Sequence, residues 1–152
     1  MANPIDREAL TAMTGQILAQ SEWTLVDQAR IDAFAEVSGD RQFLHVDPAQ
    51  AAQTEFGGTI AHGMLTLSMM SGMAFEAMPQ VEGQSACVNY GFDKVRFLAP
   101  VPVGAMIRGQ FTVQDAKVRG RGDLMVRVGA EVQVQGMDRP ALRAEWLLLY
   151  SF

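Results

Sequence analysis

Apolar and polar positions divide the chain into a helical first part and a strand-rich second part. Residues 5 to 19 read as a short helix and Glu22 to Val26 as a strand. From Asp27 to Ser38, the positions Ile31, Phe34, Ala35 and Ser38 recur three and four apart and share one helical face. Asp27 is placed to cap the start of that helix, and Gly39 to take the left-handed position after its end. Asp47-Pro48 reads as an N-cap followed by proline at the first position of a second helix, which runs through Ala51 and Ala52 towards Gly57-Gly58. A short loop, Asp40 to Val46, separates the two. Met64 to Met78 is apolar nearly all round, which predicts a buried helix whose methionines fill irregular gaps.

After Gly83 the period changes to two. Ile107, Phe111 and Val113 oppose Arg108, Gln110, Thr112 and Gln114. Leu124, Val126, Val128, Ala130, Val132 and Val134 oppose Met125, Arg127, Glu131, Gln133 and Gln135. One apolar and one polar face predict antiparallel strands in a sheet covered on one side. Arg119 to Asp123 and Gly136 to Pro140 read as the reversals between them. Leu142 to Tyr150 is more apolar on both faces, as expected of a central strand or of one that meets a partner chain. Burying both greasy surfaces together gives an α+β architecture, one antiparallel sheet wrapped around the one all-apolar helix.

Composition narrows the class. A chain of 152 residues suits a single domain over 1–152, and Leu, Ile, Val and Phe make up about a quarter of it, enough for a core. Twelve Lys and Arg against 17 Asp and Glu give a net charge of −5, so no nucleic-acid partner is expected. The lone cysteine, Cys87, excludes a disulfide framework and a Cys-rich metal site, and reads as a small apolar core residue. No basic-then-apolar N-terminal segment is seen. The stretch from Met64 to Met78 is interrupted by Thr66, Ser68, Ser71 and Glu76 and falls short of the roughly 20 residues a membrane span needs. A soluble, cytosolic domain with no membrane partner is the expectation.

The polar loop carries the candidate chemistry. It holds His45, one of two histidines; the other, His62, lies 17 positions on. A metal site needs about three or four convergent ligands, and neither a Cys cluster nor HExxH is present, so no metal is expected. GxSxG, a Walker loop and a GxGxxG after a strand are also absent. Asp40 and His45, five positions apart in one short loop, can point at the same small volume and divide acid and base work between them.

Three segments together carry a resemblance. Ser38-Gly39-Asp40 with His45 and Asp47-Pro48, then Phe56-Gly57-Gly58 with Ile60 and His62-Gly63-Met64, then Asn89 to Phe97 with Pro100-Val101, resemble the MaoC-like dehydratases in the order the family has them. These hot dog fold proteins include the R-specific enoyl-CoA hydratases. The resemblance covers the chain from about residue 22 to the end. It implies a sheet wrapped around a long central helix, in agreement with the periodicity. It also implies that Asp40 and His45 are the dyad holding the catalytic water. Gly63 is implied to offer its N–H to the thioester oxygen, and Ser71 to line the site. Gln42-Phe43 stands where the commonest hydratase motif has Asn-Pro. An aromatic there resembles the branch similar to nodulation protein N.

The activity so implied is reversible hydration of a trans-2-enoyl thioester, a CoA ester first of all, to an R-3-hydroxyacyl thioester. CoA enters as part of the substrate, and no further cofactor is called for. Two alternatives stay open: a hot dog acyl-CoA thioesterase in which Asp40 activates water against the carbonyl carbon, and a non-catalytic acyl-thioester binder or assembly subunit. The resemblance also implies a homodimer at least, two domains pairing edge to edge. His62 reads as a structural histidine bonding loop backbone near the helix start, and Asp47 as the helix cap. Ser71 reads either as site lining or as a hydroxyl bonded back to a helix carbonyl.

Overall fold

The computed structural model describes residues 3–152. In chain order the elements are α1 (Arg7–Ala12), β1 (Ile17–Gln20), β2 (Thr24–Val26), α2 (Gln28–Ser38), α3 (Phe43–Val46), α4 (Pro48–Ala51), α5 (Gly63–Ala77), β3 (Ala86–Phe97), β4 (Ala105–Arg119), β5 (Asp123–Val134) and β6 (Leu142–Ser151). All strand pairs are antiparallel, in the order β1-β4-β5-β6-β3, with β2 also pairing β4. The sheet curls around α5. Phe111, Val126, Val128, Leu142, Trp146 and Leu148 from its inner face join Leu65, Met70, Met73 and Ala74 of the helix in one core. Each such side chain contributes about 1.5–3 kcal/mol by leaving water. This is the α+β hot dog arrangement that periodicity and resemblance both predict.

The helix signals act where they were read. Asp27 Oδ1 accepts from Arg30 N–H, and Gly39, at φ 78°, closes α2 in the left-handed region that a side chain disfavours. Asp47 Oδ1 accepts from Gln50 N–H ahead of Pro48. On the outer face, Arg127 pairs with Asp93 and Glu145, and Arg143 with Glu131. These wet ion pairs each contribute about 0–1 kcal/mol. β6 lies between β5 and β3, so its apolar character is that of an interior strand.

Several expectations need correction. The helix expected over residues 5 to 19 stops at Ala12, because Gly15 N–H already bonds Val113 C=O and the chain continues as β1 along β4. The helix after Asp47 ends at Ala51, and the loop before it contains the helical turn α3. The all-round burial expected of the central helix is also wrong. Met64 is 56% and Phe75 82% exposed, because the sheet wraps only one side of α5. β3, which alternation does not reveal, is an outer strand. Two register shifts, between Asn89 and Gly91 and between Phe92 and Lys94, break its period. Cys87 sits on this strand and is exposed, not a core residue. Its thiol nonetheless lies against the Tyr150 hydroxyl, and partial burial pushes its pKa up. Among the described residues, no helix is long and apolar enough to cross a membrane.

Candidate active site

The site is a corner where α2, α3 and the start of α5 meet. Asp40 follows the Gly39 cap directly. Its N–H donates to Ser38 Oγ at 3.2 Å, and its Oδ1 accepts from Gln42 N–H at 3.3 Å. Ser38 Oγ in turn donates to Phe34 C=O at 2.7 Å, so the loop hangs from the last turn of α2. Asp40 is exposed, whereas His45, on α3, is buried at 7% exposure.

Main-chain contacts set the orientation of His45. Its Nδ1 lies 2.7 Å from Ile60 C=O, and a carbonyl only accepts, so Nδ1 carries a hydrogen and Nε2 is the nitrogen left for other contacts. Gln28, the first residue of α2, donates to His45 C=O at 2.7 Å and accepts from Thr59 Oγ1 at 2.5 Å. One side chain thus ties α2 to both segments that flank the site.

His62 caps α5 without a side-chain capping bond. Its Nε2 donates to Asp40 C=O at 2.9 Å, and its ring stacks on His45 with centroids 3.8 Å apart. That contact is the backbone role read for it from sequence. The first bond of α5 runs from Thr66 N–H to His62 C=O, so the N–H groups of Gly63, Met64 and Leu65 precede the helical ladder. The dipole of a 15-residue helix favours negative charge at that end. A Cβ on Gly63 would lie 2.9 Å from the Phe97 ring. Glycine is therefore what lets the ring cover the helix start. A cavity of about 340 Å³ opens here, with His45, Gly63, Thr66 and Phe97 in its wall.

A carboxylate oxygen of Asp40 and one ring nitrogen each of His45 and His62 lie within 4.8 Å of one another. As metal ligands they fit poorly. The two imidazole planes are 24° apart, so their lone pairs run side by side instead of meeting at one point, and His62 Nε2 is engaged by Asp40 C=O. The arrangement suits proton transfer better: a carboxylate oxygen within 4.8 Å of an imidazole nitrogen, and that imidazole in one cavity wall with a helix N-terminus.

The structure thus brings Asp40, His45 and Gly63 together. Ser71 it places elsewhere, in a second cavity of about 480 Å³ between α5 and the inner faces of β3 and β6, with Cys87, Asn89 and Trp146. Ser71, half-buried, makes no bond back to a helix carbonyl, and among the described residues Trp146 Nε1 in the same cavity wall is buried without a partner. Sequence reasoning gave Gln28 and Thr59 no role in the site. Gln28 looks like any residue after a helix cap, and only the fold shows what it holds.

Comparison with known proteins bears on the family and the fold. Residues 9–136 match the model of the MaoC-like domain. The chain is 45% identical to nodulation protein N of Rhizobium leguminosarum bv. viciae over 139 residues, covering 91% of this chain and 86% of that one. It is 39% identical to 3-hydroxyacyl-thioester dehydratase Z of Mycobacterium tuberculosis over 141 residues, 93% of each. The unliganded R-hydratase of Pseudomonas aeruginosa superposes with a TM-score of 0.74 at 27% identity, over 90% of this chain and 81% of that one. By its motifs, its fold and these likenesses, the chain belongs to the MaoC-like dehydratase family.

Proposed function

We propose that the protein adds water reversibly across the double bond of a trans-2-enoyl thioester, most simply an enoyl-CoA, to give an R-3-hydroxyacyl thioester. Asp40 accepts a proton from water as the water oxygen bonds to C3. The C2–C3 π electrons move towards the thioester, whose oxygen takes the developing charge and is held by Gly63 N–H at the start of α5. His45, as the imidazolium, gives its Nε2 proton to C2 while Nδ1–H stays on Ile60 C=O, and the proton that Asp40 took from water passes to Nε2 to reset the pair. Water is added whole, so the step is redox-neutral and uses CoA only as the handle of the substrate. The observation that carries this reading is that an Asp40 carboxylate oxygen lies within 4.8 Å of a His45 ring nitrogen, while His45 shares a cavity wall with Gly63 at the start of α5.

Crotonyl-CoA and longer enoyl-CoAs should lose their conjugated-thioester absorbance on incubation with the protein, with no release of free thiol. Thiol release would favour the thioesterase alternative, in which Asp40 activates water against the carbonyl carbon. Tight thioester binding without turnover would favour a binding or assembly subunit.

The reading includes a homodimer. β3 is an outer strand of the sheet, at the end opposite β1, and Val88, Tyr90, Phe92 and Phe97 on it are 39–60% exposed. An edge that apolar and that long invites a second copy to continue the sheet. Light scattering at micromolar protein should give twice the monomer mass.

A further inference from the structure

We infer that His62 is a positioning residue for the dyad, one that fixes the main chain of Asp40 and the ring of His45 at once. The inference rests on the hydratase reading for its kinetic consequence, but not for its structural one. His62 is only 3% exposed, and its ring is held edge-on by Phe34 at 5.0 Å and face-on by His45 at 3.8 Å. Its Nε2 donates to Asp40 C=O, and its Nδ1 is buried with no partner at all. A histidine kept only for packing has no need of a polar ring with one nitrogen stranded. Here the single useful hydrogen bond goes to the residue that carries the base, and the ring face goes to the residue that carries the acid. With Nε2 taken by Asp40 C=O and Nδ1 buried, neither ring nitrogen is free to reach substrate, so His62 acts through its neighbours.

Position is what this contact controls. Asp40 is exposed and otherwise held only by Ser38 Oγ and Gln42 N–H, at 3.2 and 3.3 Å. The 2.9 Å bond from His62 is the shortest of these three and the one that ties the loop to α5. Because His62 is also the residue before Gly63, one side chain registers the base, the acid and the oxyanion site to the start of the same helix.

Two substitutions separate the two contacts. His62→Phe keeps a ring to stack on His45 and loses the donor; His62→Gln keeps a donor near the Nε2 position and loses the stack. Misplacement of reacting groups by about an ångström costs about a hundredfold. His62→Phe should therefore lower kcat on an enoyl-CoA by about that factor with KM unchanged. His62→Gln should stay within about tenfold of the wild type, since a lost aromatic stack is a modest contribution. His62→Leu, with neither contact, should fall at or below the Phe variant, and the Gln–Leu pair makes the same comparison if the Phe variant does not fold. Amide exchange gives a readout independent of turnover. Residues 40–45, including His45 N–H on Gln42 C=O, should exchange faster in the Phe and Leu variants than in Gln or wild type. Equal kcat and equal exchange across all three variants would overturn the inference. A wild type that turns over no enoyl thioester would overturn the hydratase reading instead, while the exchange comparison would still decide the role of His62.

Discussion

The two flanks of α5 are built on opposite plans. At its start, polar groups are enclosed and mostly satisfied: His45 and His62 are under a tenth exposed, and Gln28, Thr59, Ile60 and Asp40 exchange bonds with them or with each other. Along its open flank, Phe75 is 82% exposed and β3 presents Val88, Tyr90 and Phe92 to solvent. Enclosure fixes angles and distances, which proton transfer needs. An exposed apolar edge fixes nothing within one chain and gains most from a neighbour. One helix thus carries a finished corner and an unfinished side.

The largest effect should come from breaking the finished corner at Asp40 and His45. Asp40→Asn removes proton acceptance while nearly keeping shape. Positioned acid–base groups contribute around a hundred- to ten-thousand-fold, so turnover of crotonyl-CoA should fall by that order, and similarly for His45→Gln. On the proposed mechanism both act on one water, so the double variant should be little worse than either single one. Circular dichroism should be unchanged, since neither side chain is part of the apolar core. Near-normal turnover by a folded Asp40→Asn protein would show that another group is the base.

Next in size is the exposed side. Val88→Lys puts a charge on the outer strand, where an added strand would have to cover it. Light scattering should show the dimer mass fall to the monomer mass with the thermal midpoint of the monomer little changed, because Val88 is already half exposed in one chain. An unchanged dimer would move the interface away from β3.

Gly63→Ala probes the seam between the two regions. Its methyl would lie 2.9–3.1 Å from three carbons of the Phe97 ring. Overpacking costs about 1–3 kcal/mol where neighbours cannot yield. Phe97 is 51% exposed and can yield, so a loss near the low end is expected in denaturant unfolding. Phe97→Ala in the same chain should recover it, and failure to recover would mean that the ring is not what glycine accommodates.

The same contrast explains what the sequence made legible. Caps at Asp27, Gly39 and Asp47, the strand β5, and β4 up to its bulge between Val113 and Asp115 are local or periodic signals, and they survive folding. β3 is written in the same alphabet, but its two bulges scramble the alternation, so its exposed apolar residues do not announce an edge. In the corner, Asp40 and His45 are near neighbours in sequence and carry a motif. Gln28, 17 residues before the carbonyl it holds, and His62, 22 residues after the one it holds, are linked to them only by the fold.

The smallest expected effect is also the one that joins the two flanks. Ser71 lies eight residues beyond Gly63 on α5, about 12 Å along a helix that rises about 1.5 Å per residue. It opens into the second cavity, not the one that holds His45. A crotonyl group held at Gly63 is far too short to reach it within the same chain. If each chain works alone, Ser71→Ala should leave crotonyl-CoA turnover unchanged and alter only the KM of long enoyl chains. If the open flank is completed by a second copy, the partner's helix brings its own cavity towards the dyad, and Ser71 then meets even the shortest substrate. A neutral hydrogen bond contributes about 0.5–1.5 kcal/mol net, so crotonyl-CoA turnover would then drop by up to about tenfold. Comparing crotonyl-CoA with a long enoyl-CoA in Ser71→Ala, and again in Ser71→Ala combined with Val88→Lys, decides which chain supplies the serine. A crotonyl defect that vanishes in the monomeric background places it on the partner.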